Sequence, residues 1–265
     1  MGHITNGFYN FKISTLPEVY QSKIINKNDL LEKRSPIWKK ILNNSNKAFE
    51  GQSSNILILG DSKGQDLYVS LKINNEPDSY ENIRYSYLDD KCMFDLSKIS
   101  KDYLTSDCLA ETDYDQTKLL INDAQLIILT ATWMQHTYTN ALKFVQNPNL
   151  NDKKIIILST GNFYDLPSLT LQIAQNEIPK ESINNYLYKN RRLDWKKISE
   201  KIKDQLHIYK NVSYKSRFDI FCNDEEYTCN LYSKTDEPYI WDSGHLTIEG
   251  AKFQGKKIKE LGWFE

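Results

Sequence analysis

Short apolar runs set between amphipathic stretches give the chain its organisation. Asn55-Ile56-Leu57-Ile58-Leu59-Gly60 is an unbroken apolar run closed by glycine, the pattern of a strand buried on both faces of a parallel sheet. Leu126–Thr130 and Lys154–Ser159 repeat that pattern, while Ile83–Tyr87 is more polar and reads as an edge strand. Helical periodicity fills the intervals 62–73, Asp115–Asp123 and Trp133–Val145. A long charged amphipathic stretch runs over 180–208 around Ile183, Tyr186, Leu193, Trp195, Ile198 and Ile202, and Thr247–Leu261 closes the chain as a helix. Ahead of the first strand, Asn28–Ala48 reads as helical in two pieces. Ser35 would be the N-cap of the second piece and Pro36 its first residue, with Ile37, Ile41 and Leu42 on one face. A fifth strand is expected near Phe218–Phe221. Strands alternating with helices predict an α/β fold, a three-layer α/β/α sandwich with a doubly wound, mainly parallel five-stranded sheet of flavodoxin-like type. There is no internal repeat and no flexible linker after residue 50. The expected organisation is a leader and lead-in helix over 1–50, followed by one domain over 51–265.

Composition narrows the function classes. A chain of 265 residues buries roughly 70–75% of its unfolded surface, which removes any need for a disulfide framework. Forty per cent hydrophobic and 26% charged residues are those of a globular protein rather than a disordered one. Lys plus Arg total 34 against 35 for Asp plus Glu, so there is no electrostatic reason to expect nucleic acid or an anionic membrane as partner. Apolar runs such as Leu126–Thr132 fall well short of the roughly 18–20 residues that span a bilayer, so no membrane span is expected. Met1–Gly7 has no basic region followed by an apolar one and does not read as a secretory signal.

In a doubly wound sheet, ligands gather outside the C-terminal ends of the strands. The first strand ends in Gly60-Asp61-Ser62, which puts Ser62 between a strand and a helix. Its hydroxyl can project from the turn while its N–H points from the helix N-terminus toward a developing oxyanion. Asp and Ser are equally ordinary helix caps, and that reading stays open beside the nucleophile. A serine nucleophile needs a base oriented by a carboxylate. Among the four histidines, His245 carries one inside a turn-forming block, in Trp241-Asp242-Ser243-Gly244-His245-Leu246-Thr247, where a compact turn brings Asp242 to the ring and Thr247 can cap the next helix. His3 lies in the leader. His136, within a helical stretch, and His207, at the end of a basic helix, read as structural.

The cysteines admit more than one reading. Cys222 and Cys229 enclose the polar stretch Asn223–Thr228, which fits a hairpin disulfide. Cys92 and Cys108 form a second candidate pair, and four reduced thiols in a cytosolic protein remain an alternative. The spacings do not match a zinc site, and no dinucleotide, phosphate-loop or His-rich metal motif occurs, so no cofactor and no metal are expected.

Ile56–Asp66, reading ILILGDSKGQD, together with Asp242–Ala251, reading DSGHLTIEGA, resembles the SGNH (GDSL-type) hydrolase superfamily, with its Gly-Asp-Ser after a strand and its terminal Asp-x-x-His. Within it, the chain looks most like the extracytoplasmic SGNH domains at the C-terminus of membrane-bound sugar O-acyltransferases. Three features carry that finer likeness. They are Arg34 and Trp38 in the leader, Thr130-Ala131-Thr132-Trp133 after the third strand, and the Cys222 and Cys229 pair before the Asp-x-x-His block. The resemblance implies a Ser62, His245 and Asp242 triad and a periplasmic or exterior location, with oxidised cysteines and a secretion element or membrane module outside this sequence.

The departures bear on mechanism. The superfamily's oxyanion glycine after the second strand has no counterpart, because no glycine occurs between Gly64 and Gly161, and Thr130-Ala131-Thr132-Trp133 stands in place of Gly-x-Asn-Asp. Losing one such donor typically costs about 2.7–4 kcal/mol in the barrier. Thr132 and Asn162 are the candidate replacements beside the Ser62 N–H, each equally readable as a turn residue, and Trp133 is either a sugar platform or core. The expected activity is serine-dependent acyl transfer to a carbohydrate, an O-acetyltransferase of a cell-surface polysaccharide. The carbohydrate acceptor and the acyl donor are its partners, the latter supplied by a membrane acyltransferase module. A carbohydrate esterase, a glycan-binding module that does not turn over and a cytosolic lipase or thioesterase are the alternatives.

Overall fold

The computed structural model describes residues 27–50, 54–74, 82–88, 92, 113–133, 138–159, 178–191, 193–235 and 237–264. Five parallel strands form the central sheet: β1 (Ile56–Gly60), β2 (Ile83–Tyr87), β3 (Leu126–Thr130), β4 (Lys154–Leu158) and β5 (Val212–Lys215), in the order β2-β1-β3-β4-β5. The order reverses at β1, so β1 and β3 flank the switch point, the place outside the strand ends where ligands bind in open α/β sheets. The polar strand β2 does lie at an edge.

Alternation along the strands builds the two outer layers. Ile56, Ile58, Leu126, Ile128, Ile156 and Leu158 face one side, where they meet α1 (Lys27–Leu42), α2 (Ser62–Ile73), α5 (Ile183–Lys189) and α8 (Ile248–Glu260). Leu57, Leu59, Ile127, Leu129, Ile155 and Ile157 face the other, against α3 (Tyr114–Asp123), α4 (Tyr138–Val145) and α6 (Leu193–Leu206). This is the expected α/β/α sandwich.

Two expectations about elements are corrected. The fifth strand is Val212–Lys215, whereas Phe218–Phe221 is a short helix, α7. Val212 and Tyr214 pack on one side of the sheet with period two, while Phe218, Ile220 and Phe221 bury together as one turn of helix does; Ser216 Oγ accepts the Phe218 N–H at the turn between them. The lead-in segment is one helix rather than two. Pro36 lies inside α1, and Ser35 does not cap: its Oγ donates to Leu31 O at 2.7 Å, the back-bond of a serine within a helix. Trp38 of α1 is buried in the same cluster as β1 and α2, so the helix packs on the sheet that follows it.

Beyond β5, β6 (Cys222–Asn223) and β7 (Thr228–Cys229) pair antiparallel, and a disulfide joins Cys222 to Cys229 across the hairpin as expected. Cys92 is buried and disulfide-bonded, and Cys108 lies outside the described residues.

Candidate active site

Close packing fixes the turn that follows β1. A Cβ on Gly60 would stand 1.7 Å from the carbonyl oxygen of Thr130, so only glycine lets β1 and β3 approach at their C-terminal ends. Asp61 then caps α2. Its Oδ1 accepts the N–H of Lys63 at 2.8 Å, and its Oδ2 reaches across to the N–H of Thr132 at 2.9 Å. The capping reading therefore holds for Asp61, which leaves Ser62 as the first helical residue with its hydroxyl turned elsewhere.

That hydroxyl meets His245. Ser62 Oγ lies 2.7 Å from His245 Nε2, and His245 Nδ1 lies 2.5 Å from Asp242 Oδ2. The other Asp242 oxygen accepts the N–H groups of Gly244 at 2.8 Å and His245 at 2.7 Å, closing the compact turn anticipated from the spacing. Burial pushes the Asp242 carboxyl up, but the hydrogen bond and charge of His245 with the two N–H groups outweigh it and hold the group well below the usual carboxylate range. Trp241 stacks on the imidazole with ring centroids 5.3 Å apart.

Two helices bring serine and histidine together. Gln254 of α8 donates to Ser70 Oγ of α2, and Leu246, between His245 and the α8 cap, donates its N–H to Asp66, so the two helices pack together with Ser62 at the start of α2 and His245 just ahead of α8. Thr247 is the N-cap of α8, accepting the Gly250 N–H at 3.0 Å as the sequence indicated. A Cβ on Gly250 would fall 1.8 Å from Tyr239 O, so this glycine lets α8 close on the strand-like segment leading into the turn.

Two cations lie buried beneath this arrangement, where composition alone would place them at the surface. Lys63 follows the serine directly and is 3% exposed, and burial, reinforced by the Arg217 charge, lowers its pKa to about 8 against the pull of Asp66, Asp242 and Asp61. Arg217, just past β5, donates through Nε to Gln254 Oε1 at 2.9 Å and through its main-chain N–H to Ser159 Oγ at 2.7 Å. Burial pushes its pKa down, with the same three aspartates opposing. Their electrostatic role was not read from the sequence; Lys63 and Asp66 stood inside the first block without an assigned function.

Of the remaining candidates, Thr132 is half-buried and held beside the Ser62 turn through Asp61. Its N–H is committed to that carboxylate, which leaves the hydroxyl as its donor. Asn162 and His136 lie outside the described residues. Trp133 is core and not a sugar platform: it has no exposed surface, packs among Leu129, Phe144 and Ile157, and donates its indole N–H to Leu158 O at 2.9 Å. A ring without accessible surface offers no face for stacking. His207 is exposed at the end of α6, its Nδ1 on Asp204 O, away from the triad.

No curated protein sequence matches the chain. Among solved structures, the periplasmic domain of the lipopolysaccharide acetyltransferase of Salmonella ser. Paratyphi A shares the fold, with a TM-score of 0.55 at 15% identity over 95% of this chain and 99% of that one. A structure from Streptococcus pneumonia described as a platelet activating factor aligns at 15% identity and a TM-score of 0.46, over 88% of this chain and 94% of its own. The family model for the SGNH domain (fused to AT3 domains) matches residues 32–260, and with the Gly-Asp-Ser and Asp-x-x-His blocks meeting at the sheet's C-terminal edge, the chain belongs to the SGNH-domain family.

Proposed function

We propose that the chain is an O-acyltransferase that moves a short acyl group, acetyl in the first instance, onto a carbohydrate hydroxyl through an ester on Ser62. The observation that carries this reading is the continuous hydrogen-bonded line from Ser62 Oγ through His245 to Asp242, at 2.7 and 2.5 Å. Asp242 keeps Nδ1 protonated and leaves Nε2 as the acceptor for the serine proton. Ser62 Oγ attacks the carbonyl of the acyl donor, and charge develops on the carbonyl oxygen. The Ser62 N–H at the start of α2 and the Thr132 hydroxyl are the assigned donors to that oxygen, with Asn162 a third. His245 then gives its proton to the departing alcohol. In the second half-reaction it takes a proton from the acceptor hydroxyl as that oxygen attacks the acyl carbon, and returns the proton to Ser62 Oγ as the serine ester bond breaks.

Transfer to sugar is supported by the family, described as an SGNH domain fused to AT3 domains, and by the fold shared with a lipopolysaccharide acetyltransferase domain. The AT3 domains to which the family's SGNH domain is fused support a membrane acyltransferase module as the acyl supplier. The Cys222–Cys229 disulfide supports an oxidising location such as the periplasmic face. The His245 side chain is 25% exposed, so water reaches the base, and slow ester hydrolysis is expected when no sugar acceptor is present.

The test is an acetyl ester assay with and without glycan acceptors. Ser62→Ala and His245→Ala are each expected to abolish acetyl release and transfer while the protein stays folded. Full activity in folded Ser62→Ala contradicts the mechanism.

A further inference from the structure

Arg34 and Trp38, which the family resemblance singled out in the leader, converge on one carboxylate. Asp66 is fully buried on α2, one helical turn after Ser62. Its Oδ1 accepts from Arg34 Nη2 at 2.7 Å and from Trp38 Nε1 at 3.2 Å, and the guanidinium lies 4.2 Å over the Trp38 ring. Its Oδ2 accepts the main-chain N–H of Leu246 at 2.9 Å, and Arg34 Nε donates to the carbonyl of the same Leu246 at 3.0 Å. One ion pair thus holds both main-chain polar groups of the residue that follows His245.

Arg34, Asp66 and Leu246 form a closed ring of charge-assisted contacts, which fixes direction as well as distance. The imidazole is accordingly set from both sides along the chain. Asp242 holds the N–H of Gly244 and of His245 ahead of the ring, and the ion pair holds Leu246 behind it. Because Asp66 shares a helix with Ser62, the same contact sets the spacing between the nucleophile's helix and the loop of the base. A buried ion pair is a poor device for stability alone, since apolar residues of similar volume often do as well or better. Its worth here is orientation.

We propose that Arg34 and Asp66 are positioning residues for His245, so that α1, although it touches no reacting atom, belongs to the machinery that aligns Nε2 with Ser62 Oγ. The proposal rests on the acyl-serine reading above and adds to it the lead-in helix.

The experiment compares the full chain with Arg34→Ala, Arg34→Lys and Trp38→Phe. It reads kcat and KM on a soluble acetyl ester, the downfield proton resonance of His245 Nδ1–H, and thermal unfolding. A misplacement of about 1 Å at a catalytic group costs about 10²-fold in rate, so folded Arg34→Ala is expected to lose about that much in kcat with KM unchanged. Its downfield resonance is expected to broaden or vanish, and millimolar guanidinium chloride, but not potassium chloride, to restore part of kcat. Arg34→Lys should fall between, because one ammonium cannot reproduce the guanidinium fork. Trp38→Phe, which removes only the indole donor, should lose least.

Wild-type kcat in folded Arg34→Ala, or a lowered kcat with the His245 resonance intact and no guanidinium rescue, overturns the proposal. Where Arg34→Ala does not fold, Arg34→Lys decides: wild-type kcat overturns the proposal, and a lowered kcat at an unchanged melting temperature supports it. The resonance is read without turnover. A wild-type protein inert toward esters whose resonance is nevertheless lost in Arg34→Ala overturns the acyl-serine reading and supports the positioning role.

Discussion

Asp61 Oδ2 accepts the N–H of Thr132 at 2.9 Å while its Oδ1 caps α2 through Lys63, so one side chain joins the nucleophile's turn to the loop after β3. The aspartate of the Gly-Asp-Ser block thereby holds in place the residue that stands where the family keeps its Asn donor. On the proposed mechanism Thr132 must be held in place to serve as the oxyanion donor, and the Asp61 contact holds it.

Asp61→Ala is therefore expected to act twice. Loss of the cap should lower stability by about 1 kcal/mol, within the range seen for such substitutions. Release of Thr132 should lower kcat on an acetyl ester by about 10²-fold, the scale of losing one oxyanion donor. Urea denaturation and steady-state kinetics on the same preparations separate the two effects. A stability loss without a rate loss would remove Thr132 from the oxyanion site.

Lys63 gives a pH signature whose sign follows from its pKa of about 8 against 10.5 in an unfolded chain. Between those values the unfolded chain binds more protons than the folded one, so stability rises with pH across that window. Below about pH 8 the buried ammonium carries its full cost, about 3 kcal/mol. Lys63→Met is expected to be more stable than wild type at pH 7, with the advantage shrinking as pH rises toward 10. Paired urea titrations at pH 7 and 9.5 check this, and a constant difference would contradict it.

The disulfide is expected to matter for stability and not for chemistry. Cys222 and Cys229 are seven positions apart, and a loop of that size stabilises by about 2–3 kcal/mol on the chain-entropy model. The double Cys→Ser variant should lose about that much in denaturant titrations and keep its kcat per folded molecule. Non-reducing peptide mapping should recover the Cys222–Cys229 peptide, and free thiols at those positions would remove the local support for an oxidising compartment.

What could be read in advance was whatever depends on short-range pattern. Ile56–Gly60, Leu126–Thr130 and Lys154–Leu158 announce buried parallel strands because apolar residues must cover both faces, and Asp242 and His245 announce their pairing because three residues suffice for the turn. Val212–Lys215 escaped because only two of its four residues, Val212 and Tyr214, pack inward, and the denser apolar cluster at Phe218–Phe221 drew the assignment instead. Trp133 stood beside a candidate donor, and nothing local says whether an indole after a strand turns outward or into the core. The Arg34–Asp66–Leu246 ring spans 212 positions between its extremes, and contacts of that reach leave no periodic trace. Buried Lys63 and Arg217 run against the ordinary preference of cations for water, a cost that Asp61, Asp66 and Asp242 offset only in part.

The most direct measurement is the intact mass of the protein after exposure to a fluorophosphonate, followed by mapping of the adduct. Such a reagent modifies a serine only where a base and an oxyanion site activate it. One adduct, at Ser62, absent from His245→Ala, is the expected result. A folded protein that takes up no label, or takes it elsewhere, would contradict an acyl-serine centre and bring the glycan-binding reading forward.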